Sequence, residues 1–158
     1  MSELEQLYQQ VILDHSRQRI GSGELSSELE GSSHQVNPTC GDEVTLGVCL
    51  DNQGRVSNLV WDGEGCSISQ ASLSIMSEMV VGMEPDDRRA LEEKFLELMH
   101  SRGSLELSED ELDLLGDTAA FSGVSKFPAR VKCALLGWMA LKDAMAQATA
   151  KKEAADGC

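Results

Sequence analysis

Apolar residues recur along the chain with two periods, and the switches between them mark the elements. Leu4, Leu7, Tyr8, Val11 and Ile12 fall at helical spacing behind Ser2-Glu-Leu-Glu, a capping-box pattern. A leading amphipathic helix follows. Over residues 16–36 the pattern dissolves into Ser, Gly, Glu and Gln, with Gly21, Gly23 and Gly31 breaking any period, which predicts a mobile loop. Residues 43–51 then alternate, with Val44, Leu46, Val48 and Leu50 on one side and Thr45, Gly47 and Cys49 on the other, as a half-buried strand does. Asn52-Gln-Gly54 is a turn signal, and residues 55–62 resume with Val56, Leu59, Val60 and Trp61, so a hairpin in a two- or three-stranded antiparallel sheet is expected.

Beyond Cys66 the period becomes helical. Ile68, Ala71, Leu73, Ile75, Met76, Met79 and Val80 form a buried face that Gly82 ends. Pro85, with Asp86 and Asp87 in the first turn, starts a second helix that buries Leu91, Phe95, Leu98 and Met99 and stops at Gly103. Ser108 and Glu111 form a capping box for a short helix through Leu115, and the acidic run over 106–113 reads as its solvated face. Residues 116–126 read as a loop. Pro128 opens the last long helix, whose stripe is Val131, Ala134, Leu135, Trp138, Leu141 and Met145. From 147 to 158 little apolar face remains, and that tail is expected to fray. The methionines at 76, 79, 83 and 99 fall inside these patterns and read as core filling.

The fold class is therefore α+β: one domain over residues 1–158, a small antiparallel sheet with helices packed on one face. The length of 158 residues fits a single domain, and 41% hydrophobic with 25% charged residues is a globular composition. A formal charge of −14 would repel a phosphate backbone or an anionic lipid surface, so nucleic acid and membrane are not expected partners. No apolar run nears the roughly 18–20 residues that span a bilayer, and Met-Ser-Glu-Leu-Glu lacks a basic stretch before an apolar signal core. A cytoplasmic protein is the expectation.

The chemistry lies in the cysteines. There are five, Cys40, Cys49, Cys66, Cys133 and Cys158, an odd number at wide spacings, which argues against a disulfide framework. Three stand at element boundaries: Cys40 in Asn-Pro-Thr-Cys-Gly-Asp at 37–42, Cys66 in Gly-Glu-Gly-Cys-Ser at 63–67, and Cys133 one turn into a Pro-started helix. Loop and helix-end thiols can be brought to one point, and helix N-termini favour the thiolate. Asp42, two residues after Cys40, can turn its carboxylate the same way. Cys40, Asp42, Cys66 and Cys133 are thus a candidate set of three soft donors and one hard one, suited to tetrahedral Zn²⁺. Separations of 26 and 67 residues are not those of a zinc finger, and by spacing alone inert buried thiols account for them as well.

These three motifs, with Ala-Arg-Val-Lys-Cys-Ala at 129–134 as the third, come in this order after an amphipathic helix. In that arrangement the chain resembles the U-type iron–sulfur assembly proteins from Leu4 to about Met145. It is closer to the SufU branch than to the IscU branch. Lys132 stands where IscU-type scaffolds carry histidine, and the segment over 82–127 looks like the SufU insertion. An ammonium with an ordinary pKa near ~10.4 has no lone pair for a metal at neutral pH. The resemblance implies zinc held by Cys40, Asp42, Cys66 and Cys133, with sulfur relayed from a SufS-type cysteine desulfurase to the iron–sulfur assembly machinery. It further implies that a partner histidine frees Cys40, the sulfur acceptor and catalytic residue. The alternative is a scaffold on which a [2Fe–2S] or [4Fe–4S] cluster forms on the same cysteines. A purely structural zinc domain is a third reading, although a carboxylate ligand and a loop cysteine make a less closed site than four thiolates.

The other candidates read more plainly. Cys49 and Cys158 are expected outside the site as incidental thiols. His15 and His100 look like cationic groups at helix C-termini, and His34 is the one spare ligand. Arg130 and Lys132 either offset the −2 charge of a zinc-loaded site or are ordinary solvated helix residues.

Overall fold

The computed structural model describes residues 2–156. Helix α1 (Glu3–Gln18) begins at Ser2, whose Oγ accepts the Glu5 N–H at 3.1 Å, and ends on Arg19 in the left-handed region. Three strands follow, β1 (Gly31–Asn37), β2 (Asp42–Leu50) and β3 (Val56–Glu64), forming an antiparallel sheet in the order β1-β2-β3. On β2 the alternating row Val44, Leu46, Val48 and Leu50 is buried as expected, and Asp42 opens the same row, fully buried. Helices α2 (Ser67–Val80), α3 (Pro85–His100), α4 (Glu109–Leu115) and α5 (Pro128–Asp156) complete the chain. Both Ser108 and Glu111 close the capping box ahead of α4.

The core lies between the sheet and the helices. α5 packs across β1 and β2, α2 lies beside α5, and Ser72 joins the pair by donating to the Ala134 carbonyl (2.6 Å) and accepting from Trp138 Nε1 (3.1 Å). Phe95 of α3 meets Trp138 and Phe121 at ring-centroid distances of 5.1 and 5.9 Å. No helix among the described residues is long and apolar enough to cross a membrane.

Three stretches depart from the sequence reading. The supposed mobile loop over 16–36 ends in β1, which pairs with β2 from Gly31↔Val48 to Asn37↔Asp42. Its earlier half is tied to the sheet: Gly21 O accepts from Trp61 N, Gly23 N donates to Trp61 O, Glu30 N donates to Val48 O, and Leu25 and Leu29 lie over Gly47. The supposed loop over 116–126 is a 3-10 helix, Gly116–Lys126, in which Thr118, Ser122 and Ser125 each return a hydroxyl to the carbonyl three residues back, reinforcing its i,i+3 pattern. The tail expected to fray is helical to Asp156; Ala148 is fully buried, and Gln147 Oε1 accepts the Ser32 N–H. Cys158 lies outside the described residues.

Candidate metal centre

The β1–β2 register builds the site. Asn37 pairs with Asp42, so the turn between them, residues 38–41, puts Cys40 at a hairpin tip, with Gly41 taking a positive φ of 71° to close it. Cys40 is exposed, Cys133 is buried in the second turn of α5, and Cys66, half-buried, is the N-cap of α2. One ligand atom each from Cys40, Asp42 and Cys133 lie within 4.8 Å of one another. Cys40 Sγ is 2.9 Å from Cys133 Sγ and 3.0 Å from Asp42 Oδ2. Cys66 stands at the rim: its Sγ is 3.9 Å from Asp42 Oδ2, and its backbone N–H donates to Asp42 Oδ1 at 2.9 Å.

Sequence reasoning did not single out Asn37 as a functional residue. It is buried, and its amide Nδ2 donates to Cys40 Sγ at 2.9 Å and approaches Cys133 Sγ at 3.9 Å. The signal that could have found it is the strand register, since a residue paired with Asp42 at the base of the turn faces the same point.

Asp42 and the thiols are pushed in opposite directions. Burial works against the Asp42 charge, but hydrogen bonds from Cys40, Cys133, the Cys66 N–H and Ser69 outweigh it and hold the carboxyl below the usual range. Burial pushes the Cys40 and Cys133 thiols up, and for both the carboxylate beside them adds to it. A carboxylate held ionised beside thiols that resist ionisation is a donor set that a bound cation would favour.

The remaining candidates lie elsewhere. His34 is exposed on β1, with Nδ1 bonded to Thr45 Oγ1 at 2.8 Å and Nε2 3.1 Å from Glu43. It does not join the cluster. Cys49 is half-buried and points its thiol at the Glu28 carbonyl, 3.7 Å away. Arg130 and Lys132 are exposed, and the Arg130 guanidinium stacks over Phe127 at 5.1 Å. His100 ends α3 as expected, but His15 is buried against Ser74 rather than standing as a free charge at a helix end.

The family model described as the NifU-like N terminal domain matches residues 7–134. The chain belongs to this family. Within it, the chain is 38% identical over 146 residues to the zinc-dependent sulfurtransferase SufU of Bacillus subtilis (strain 168), covering 92% of this chain and 94% of that protein. It is 36% identical over 145 residues to the iron-sulfur cluster assembly scaffold protein IscU of Streptococcus pyogenes serotype M1, covering 92% and 86%. The solved SUF-system structure FiSufU from Fervidobacterium islandicum AW-1 superposes with a TM-score of 0.70 at 30% identity, over 92% of this chain and 96% of that one.

Proposed function

We propose that this protein is a zinc-dependent sulfurtransferase, in which Cys40, Asp42, Cys66 and Cys133 hold the ion and Cys40 also accepts sulfur from a cysteine desulfurase of the SufS type. The observation that carries this reading is the convergence of Cys40, Asp42 and Cys133 within 4.8 Å, from a hairpin tip, a strand start and a helix start. Three thiols and a carboxylate suit zinc by ligand type. Bound there, zinc would supply positive charge and keep the thiolates ionised at neutral pH. A cytoplasmic setting, where thiols stay reduced, belongs to the same reading.

Cys40 is the exposed thiol of the cluster, on a turn, and so the one a donor can reach. Its thiolate attacks the outer sulfur of the donor's persulfide. The new S–S bond forms at Cys40, the donor's S–S bond breaks, and the donor cysteine leaves as a thiolate with the bonding pair. Asn37 Nδ2, already 2.9 Å from Cys40 Sγ, stabilises negative charge on that sulfur. Cys133 and Asp42, both buried, stay behind as anchors. The sulfur then passes to the iron–sulfur assembly machinery.

The test is a transfer assay with a purified desulfurase and labelled cysteine, with and without chelator. Sulfur should appear on the wild type and be absent from Cys40→Ser, while Cys49→Ser behaves as wild type. Label on Cys40→Ser equal to wild type refutes the assignment. The same thiols and the IscU relative support a second reading, a cluster scaffold. A brown, transferable chromophore in place of stoichiometric zinc after purification without added metal would decide for it.

A further inference from the structure

A second cluster meets α2 at Glu78, a little over three turns beyond Cys66. His15 of α1, Glu78 of α2 and Asp117 at the start of the 3-10 helix each offer one ligand atom, and these lie within 4.8 Å of one another. His15 is only 7% exposed, whereas Glu78 and Asp117 face solvent. The imidazole is held from behind. Its Nδ1 is 2.9 Å from Ser74 Oγ, which also accepts the Ile20 N–H at 3.0 Å. The Nδ1–H tautomer, the one a metal at Nε2 requires, has the ring donate to Ser74 Oγ, whose two lone pairs are then both used. In that tautomer the Nε2 lone pair faces the two carboxylates.

Nε2 makes no hydrogen bond of sound geometry among the described residues and pairs only loosely with Asp117. Asp117 Oδ2 is 3.4 Å from Nε2, beyond the 2.7–3.2 Å of a sound N–H···O bond. Two ligands about 2.05 Å from a tetrahedral ion are separated by about 3.3 Å, so the spacing is that of co-ligands. A neutral imidazole whose other nitrogen is fixed by a hydrogen bond is also the usual state of a metal-bound histidine. Nitrogen plus two carboxylate oxygens selects a borderline divalent ion over a thiophilic one. The net charge of −14 draws cations to the exposed carboxylates.

We propose that His15, Glu78 and Asp117 form a second, thiol-free site for a divalent cation of the zinc type, with water completing the coordination, and that the bound ion clamps the leading helix to α2 and the 3-10 helix. The site shares no residue with the cysteine cluster and does not depend on the function proposed above. It also gives buried His15 a role that a helix-end charge does not need.

The test is zinc counting on the full chain after equilibrium dialysis, wild type against Glu78→Gln and Asp117→Asn. Both substitutions are at exposed positions and nearly isosteric, so the fold is retained; Asp110→Asn, an exposed carboxylate elsewhere, is the control. Each ligand variant should bind one zinc fewer than wild type, or hold that equivalent at least about tenfold more weakly, while the control matches wild type. The His15 ring NMR signals should shift with that equivalent. Because the readout is a difference between variants, it stands whether or not the cysteine cluster takes up zinc. An unchanged count in both variants, with His15 signals that ignore zinc, overturns the proposal and leaves a His15–Asp117 ion pair only.

Discussion

Gly65→Ala tests the metal centre without touching a ligand. Gly65 does not sit in the left-handed region, so alanine is allowed by the backbone, but its Cβ would strike Asp42 Oδ1 and stand 2.5 Å from Ser69 Oγ and 2.9 Å from Asp42 Cγ. To restore van der Waals contact the carboxylate must withdraw by about 1 Å. The Cys66 N–H to Asp42 Oδ1 bond, now 2.9 Å, then opens beyond hydrogen-bonding range. A hydrogen bond to a charged group is worth about 1.5–3 kcal/mol, so zinc retention at the cysteine cluster should weaken about 10- to 150-fold. Alanine also narrows the unfolded ensemble by about 0.4–1 kcal/mol, which offsets part of the loss of stability. The Tm should fall by only about 2–10 °C. Competition with a chromophoric chelator reads the first quantity, and a circular-dichroism melt reads the second. Gly123→Ala, whose Cβ would meet nothing within 4 Å, is the matched control. If Gly65→Ala holds zinc within twofold of wild type, the carboxylate position is not what gathers the site.

Gly31→Ala drives a Cβ against the Ala144 carbonyl oxygen and to 2.7 Å from Ala148 N, backbone of α5 that cannot rotate away. It should cost about 2–3 kcal/mol and lower the Tm by roughly 4–12 °C; an unchanged melt would show that β1 and α5 are not in close contact. Ser72→Ala leaves Trp138 Nε1 buried without an acceptor and should cost about 1–3 kcal/mol in urea unfolding, with a loss under about 0.5 kcal/mol counting against the α2–α5 joint. The Glu111 carboxyl is held down from 4.5 to about 2 by Lys94 Nζ at 2.7 Å and by Ser108. A depressed carboxyl stabilises the fold above its unfolded pKa and loses that contribution as pH falls through the folded one. The stability gap between wild type and Glu111→Gln should thus be full above about pH 4.5 and close towards pH 2; a gap that persists at pH 2 refutes the linkage.

The elements that could be read from the chain are those whose signals are local. Ser2, Ser108, Pro85 and Pro128 mark helix starts by capping or by a fixed φ, and the Val44–Leu50 alternation names its own inner face. What escaped is set by partners distant in the chain. β1 reads as polar loop because its inward positions, Gly31 and Ser33, are small enough to lie under α5, and the end of α5 looks featureless because alanine suffices there at 148. The cysteines at 40 and 133 and Asp42 were legible from their motifs. Asn37 was not, since its role comes from pairing across a turn. Nor was His15, which is buried and bonded to Ser74, 59 residues away. Cys66 belongs to the motif set, yet its sulfur stands aside from the tight group while its backbone N–H does the gathering.

Cys133 follows Cys66 by 67 residues, which gives the centre an order of birth. At about 5–20 residues per second a ribosome needs roughly 3–13 s to travel that distance. Throughout it the hairpin bearing Cys40 and Asp42 exists in the nascent chain without its deepest thiol. β1 also waits for the far half of α5, around Ala144 and Ala148, before its inner face is covered. The pocket therefore closes only once α5 has been made, and the nascent chain carries the thiols of Cys40 and Cys66 bare for seconds before Cys133 can join them.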